Sequence, residues 1–128
     1  MAIRIVRLGS PRVPGEGLRL GTARRPPRGV PKAEHASRDF YDVWLPELAP
    51  SENLVKEALH ASDQRAWRSF VKRYRAEMKR PEATRLLVLL AALSRQTNLS
   101  VGCYCAEEAR CHRSVLKALL REQGADLA

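Results

Sequence analysis

The 128-residue chain is short of acids, aromatics, cysteines and long apolar runs, and each shortage excludes something. It has only three cysteines, all within residues 103–111. A secreted disulfide scaffold uses an even, dispersed set, so these thiols read as reduced. The longest apolar run, residues 86–93, is far below the roughly 18 residues that suggest a membrane span. No N-terminal apolar stretch suits a signal peptide. These absences point to a cytoplasmic protein with no membrane partner. Two Trp, three Tyr and two Phe leave little for an aromatic stacking platform. Fourteen acids against 23 Lys and Arg give a net charge of +9 and a pI near 10.2, which favours an anionic partner. An arginine-rich composition gives the same figure without any function.

What is present is organised around residues 99–120, which hold every cysteine and one of three histidines. Leu99, Val101, Cys103 and Cys105 alternate with Ser100, Gly102 and Tyr104, the period of a strand. Glu107 and Glu108 break the pattern, and Val115, Leu116, Leu119 and Leu120 resume it at helical spacing. Cys111 and His112 lie one turn before Val115 and Leu116, so both continue the buried stripe. In open parallel sheets, ligands sit where a strand ends and a helix begins. The unpaired N–H groups at such a helix start favour an anion or a thiolate.

The rest of the chain supplies the fold. Residues 2–8 read as a first strand and 18–22 as a short second one. Residues 9–37 form a basic, Pro- and Gly-rich loop, because Arg24-Arg25-Pro26-Pro27-Arg28-Gly29-Val30-Pro31-Lys32 cannot be helical. Residues 41–45 read as a further strand that Pro46 keeps short or at an edge. Ser51 caps a helix running to about residue 60, and Asp63 caps another to about residue 79. Trp67, Phe70, Val71, Tyr74 and Met78 fall at helical spacing and read as core. Arg68, Lys72, Arg75 and Lys79 share one face of that helix, either solvated surface or a phosphate-binding row. Residues 82–96 are apolar nearly all round, the mark of the most buried helix. The expected fold is a small α/β domain over residues 1–128, a mostly parallel sheet of about four strands flanked by helices. His35 and His60 have no companion motif and read as surface.

The chain resembles the YeaO-like family, known as domain of unknown function 488. The likeness rests on Arg24-x-x-Pro27-Arg28-Gly29 followed by Val30 and Lys32. It continues through residues 41–48 with Pro50, Ser51, Leu54, Phe70, Tyr74 and Glu77, and ends on Cys111-His112-Arg113 after an apolar strand. The resemblance implies a compact α/β fold with no established activity, and marks the arginine loop and the histidine as its signature.

Several chemistries suit these residues. A pocket for a small phosphorylated or nucleotide-like anion would use Arg24, Arg28, Gly29, Ser51 and Arg113 with the helix start above Cys111 and His112. Cys111 beside His112 and Arg113 is the candidate nucleophilic thiolate, with His112 as its partner. Cys103, Cys105, Cys111 and His112 make a Cys3His set for zinc, but the C-x-C-x5-C-H spacing is poor, and adjacent Cys111 and His112 reach one ion only across a tight bend. A nucleic-acid partner would use the basic helix row. The structural alternatives are buried thiols acting as small apolar residues, Arg28 tying its loop to carbonyls, and His112 capping a carbonyl. The residues name no cofactor and leave enzyme, binding protein and oligomeric state open.

Overall fold

The computed structural model describes residues 1–60 and 63–128. Among them lie strands β1 (Ile3–Arg7), β2 (Leu18–Gly21), β3 (Val43–Trp44) and β4 (Leu99–Cys103). The helices are α1 (Glu52–Leu59), α2 (Gln64–Glu77), α3 (Pro81–Ser94) and α4 (His112–Glu122). The strands form one parallel sheet in the order β1-β4-β2-β3, so the α/β class read from the sequence holds. Beyond α4, Leu127 bridges Ile3 on the outer edge of β1.

Handedness explains the layering. The connections from β1 to β2 and from β2 to β3 carry the chain one way across the sheet. Those from β3 to β4 and from β4 to Leu127 carry it back. Right-handed crossovers of opposite direction lie on opposite faces. The helices accordingly share one face and the loops cover the other. Strand pairing puts Ile3, Ile5, Leu20, Leu99 and Val101 on the helix face. There they join Leu54 of α1, Phe70 and Tyr74 of α2, Leu87 and Leu90 of α3, and Val115, Leu116 and Leu120 of α4 in one apolar core.

The helix starts follow their capping residues. The Ser51 hydroxyl accepts from Leu54 N–H, and the Asp63 carboxylate accepts from Ala66 N–H at 2.7 Å. Pro81 opens α3 at a position where its missing N–H costs nothing.

Three expectations are corrected here. The helix over 82–96 is not buried all round. Ala83, Leu87, Leu90, Ala91 and Ser94 face inward, but Val88 and Leu89 are half exposed and Leu93 more than a third, because a helix on one face of a sheet has only one stripe to bury. His35 is buried rather than on the surface. Its Nε2 lies 3.2 Å from Val30 O and its ring meets Tyr41 edge-on, because the basic loop folds back on itself. The strand at 99–105 ends at Cys103, and all five of its residues are buried because it sits inside the sheet with both faces covered, so the in-and-out alternation does not extend to Cys105.

On the loop-covered face the sheet buries a charge pair. Arg19 of β2 is fully buried and donates to both carboxylate oxygens of Glu16 at 2.8 and 3.0 Å. Its remaining donors reach Ser10 O and Asp39 O. The Ser100 hydroxyl donates to Glu16 at 2.7 Å. Burial pushes the Glu16 carboxyl up, but Arg19, Ser100 and the Val13 N–H outweigh it and hold the pKa at about 2. Gly17, between the pair's two members, has φ +82°, and a Cβ there would stand 1.9 Å from Asn98 O. Only glycine allows that turn to pass under the start of β4.

Candidate functional site

A cavity of about 800 Å3 opens at the carboxyl ends of β2 and β4. This is the sheet's topological switch point. The chain leaves β2 toward β3 over one face and leaves β4 toward the far edge over the other, so the two exits diverge and leave a crevice. Ala23, just past β2, and Cys103, Tyr104 and Cys105 at the end of β4 line it. The arginine loop forms one wall, α1 and Phe70 another, and Cys111 with His112 the floor.

The floor is set by the start of α4. Cys111 has extended backbone, φ −119° and ψ 153°, and His112 is the first helical residue. This switch from extended to helical backbone is the bend that brings two adjacent side chains to one side. Cys111 Sγ stands 3.7 Å from His112 Nδ1. The other ring nitrogen, Nε2, lies 2.8 Å from Thr22 O. A carbonyl only accepts, so Nε2 carries a hydrogen, and Nδ1 is the ring nitrogen that faces the sulfur. The Thr22 hydroxyl donates to Gly102 O at 2.9 Å, and the Tyr74 ring meets the imidazole edge-on at 5.5 Å. Thr22 gave no signal in the sequence. Its role follows from β2 and β4 being neighbours, which local pattern does not encode.

Three thiols gather at this floor. Cys103, Cys111 and His112 are buried, and their sulfur and nitrogen atoms lie within 4.8 Å of one another. Cys105 is exposed, with its Sγ 3.9 Å from Cys103 Sγ. Hydrogen bonds from Cys103 and Cys105 hold the Cys111 thiol far below its ordinary range, against the effect of burial and with help from His112. The Cys103 thiol is pushed up by the same contacts and by burial.

The cationic residues divide into free and committed groups. Arg25, Arg28, Lys56 and Arg110 line the cavity. Arg25 pairs with Glu52, the one acid of the lining, and Arg110 stands 5.9 Å over the Trp67 ring. Arg28 is exposed and has no side-chain partner among the described residues. Arg24 also faces the cavity, but its Nε and one Nη donate to Pro50 O and Ala49 O at 2.8 and 3.1 Å. It works partly as a strut between the arginine loop and the approach to α1.

Three residues expected to bind a ligand lie elsewhere. Arg113 is buried, with Nη1 on Val6 O at 2.8 Å and Nη2 on Cys105 O at 2.6 Å. It points under the sheet end because its helical position is a quarter turn from His112. Gly29 is exposed at φ +70° and turns the loop outside the cavity. Ser51 uses its hydroxyl on α1, and its N–H donates to Glu77 at 2.9 Å. Ser51→Ala is expected to lower unfolding free energy by about 1 kcal/mol, read by urea denaturation, and to leave ligand affinity unchanged.

Of the basic row on α2, Arg75 pairs with Glu122. The neighbouring Arg73 pairs with Glu57. Arg68, Lys72 and Lys79 are exposed and stand outside the cavity lining.

Fold and site together define a parallel α/β protein with a crevice at the switch point of its sheet. The chain belongs to the DUF488 family: residues 3–124 match the family model described as the active DUF488-N3 subclade. Comparison with curated proteins and with solved structures gives no significant match. Among the described residues no helix is long and apolar enough to cross a membrane.

Proposed function

We propose that the switch-point cavity binds a small phosphorylated or nucleotide-like anion. The observation that carries this reading is the convergence of Arg24, Arg25, Arg28, Lys56 and Arg110 on one hollow whose floor is the start of α4. Guanidinium groups match the bidentate geometry of phosphate, and a helix start adds unpaired N–H donors. Phe40, Tyr104, Pro26 and Pro27 give the same hollow apolar walls, suited to a ring system such as a nucleobase. The anion sits above Cys111 and His112, which makes them the residues to act on it if the protein is an enzyme. Three free cysteines fit a reducing, cytoplasmic setting.

The test is calorimetric titration with adenosine 5′-monophosphate and with inorganic pyrophosphate. Arg28→Glu with Arg110→Glu is expected to weaken binding at least about tenfold, since each lost charge-assisted bond is worth about 1.5–3 kcal/mol. Unchanged affinity in that double variant would remove the reading. The rival reading is a nucleic-acid partner on the exposed α2 row. It predicts the loss in Arg68→Glu with Lys72→Glu instead, for an oligonucleotide probe and with a steep salt dependence.

A further inference from the structure

We propose that Cys103, Cys105, Cys111 and His112 form a zinc site, with three sulfurs and His112 Nδ1 at the corners of one tetrahedron. The sequence spacing is unusual for such a site, and the fold shows how it is overcome. Cys103 ends β4, Cys105 lies two residues into the turn beyond it, and Cys111 caps α4 just before His112. The chain thus approaches one point from a strand end and again from a helix start, and residues 106–110 pass around it.

Two of the separations match those of a bound zinc ion, and three of the four ligands already lie together. Zinc binds sulfur at about 2.3 Å and imidazole nitrogen at about 2.0–2.1 Å. In a regular tetrahedron those bonds set sulfur atoms about 3.8 Å apart, and sulfur and nitrogen about 3.6 Å apart. Here Cys103 Sγ and Cys105 Sγ are 3.9 Å apart, and Cys111 Sγ and His112 Nδ1 are 3.7 Å apart. Cys103, Cys111 and His112 form a compact buried triad, and exposed Cys105 lies outside that 4.8 Å grouping, next to Cys103, from where it closes over the ion as the fourth ligand.

The surroundings also suit a metal. A ligating histidine ordinarily donates its other N–H to a carbonyl, which fixes the ring and raises its basicity. His112 Nε2 makes that bond to Thr22 O at 2.8 Å, leaving Nδ1 as the coordinating nitrogen. The Cys105 carbonyl is held by Arg113, which anchors the turn carrying the exposed ligand. Two buried thiols stand against the imidazole, and a third lies beside Cys103. As simple apolar filler they would need no such orientation.

Binding transfers no electrons. Each thiol that coordinates gives up its proton to solvent, and its sulfur lone pair forms the bond to the metal. A coordinated Cys111 is not a free nucleophile, so this reading replaces the thiolate-attack role for that residue. It stands apart from the anion-binding reading, which needs no metal.

The experiment uses the full chain, reduced and treated with a chelator, and titrated with Co2+ and then Zn2+. The expected result is one Co2+ per chain with the intense visible bands of tetrahedral cobalt and thiolate charge transfer, displaced by Zn2+. His112→Ala and Cys103→Ser should weaken binding by well over tenfold. Cys105→Ser, at an exposed position that leaves folding undisturbed, should weaken it about tenfold or more and reduce the charge-transfer intensity. Zn2+ should also protect Cys111 from alkylation. Absence of a tetrahedral spectrum overturns the proposal, as does a spectrum that Cys105→Ser leaves unchanged. Binding of pyrophosphate by the chelator-treated chain is scored separately, so failure of one reading is not failure of the other.

Discussion

Arg19→Met is expected to lower the unfolding free energy by about 3–5 kcal/mol, because it strands a buried carboxylate. Glu16 would keep only the Ser100 hydroxyl and the Val13 N–H. The Ser10 and Asp39 carbonyls would also lose their donor. Replacing both members of the pair, Glu16→Leu with Arg19→Met, should recover much of the loss, since an apolar pair leaves no stranded charge. The pair also fixes an acid limit. Glu16 titrates near 2 in the folded chain against an ordinary 4.5, so its folded pKa is depressed. Its contribution is therefore fully present above pH 4.5 and is lost as the pH falls from there toward 2. The gap corresponds to roughly 3 kcal/mol. Urea denaturation at pH 7, 4 and 3 measures this, and Glu16→Gln should remove the part of the slope that belongs to this carboxylate. A wild-type slope no steeper than that of Glu16→Gln would contradict the assignment.

Arg113→Ala should cost about 2–4 kcal/mol of stability, since two charge-assisted bonds and a buried side chain go together. The guanidinium joins three separate pieces: the end of β1 through Val6 O, the turn after β4 through Cys105 O, and α4 itself. Its Nε is buried and unpartnered, so the position is held by the two outer nitrogens alone. Arg113→Lys should rescue little, because an ammonium cannot span both carbonyls with the geometry of a fork. Thermal and urea unfolding read the loss, and Co2+ titration of the same variants should show weakened binding as the Cys105 turn is released. A variant of unchanged stability that fails to bind pyrophosphate would return Arg113 to the ligand.

Much of this architecture was readable before any coordinates. Ser51 and Asp63 announced helix starts, the spacing of Phe70, Tyr74 and Met78 announced a packed face, and Leu99 to Cys103 announced a strand. Those signals are local, set by capping and by the period of the backbone. What stayed hidden depends on distant segments. Nothing in Leu18-Arg19-Leu20 marks the arginine as buried, yet loops from residues 9–17 and 31–42 close over it. His35 is buried for the same reason, and the apolar outer face of α3 is bare because nothing among the described residues packs there. The cavity that Arg24 and Arg28 line together with His112 joins residues far apart in sequence. Adjacent Cys111 and His112 face one point only across a tight bend, and the change of backbone conformation at the helix cap is such a bend, which residue spacing does not encode. Arg113 could be placed near the site by its motif, but which side of the helix start it served was set by the Val6 and Cys105 carbonyls.

The strand order has a consequence for biosynthesis. β1 and β2 are made first but never touch, because β4 lies between them and is the last of the four to leave the ribosome. Until then only β2 and β3 can pair, and the apolar layer has no complete sheet to rest on. Completion of such a sheet waits on long-range pairing, which is slow. During that interval the unfinished chain depends on its own surplus of positive charge, and on whatever chaperone meets it, to stay apart from its neighbours.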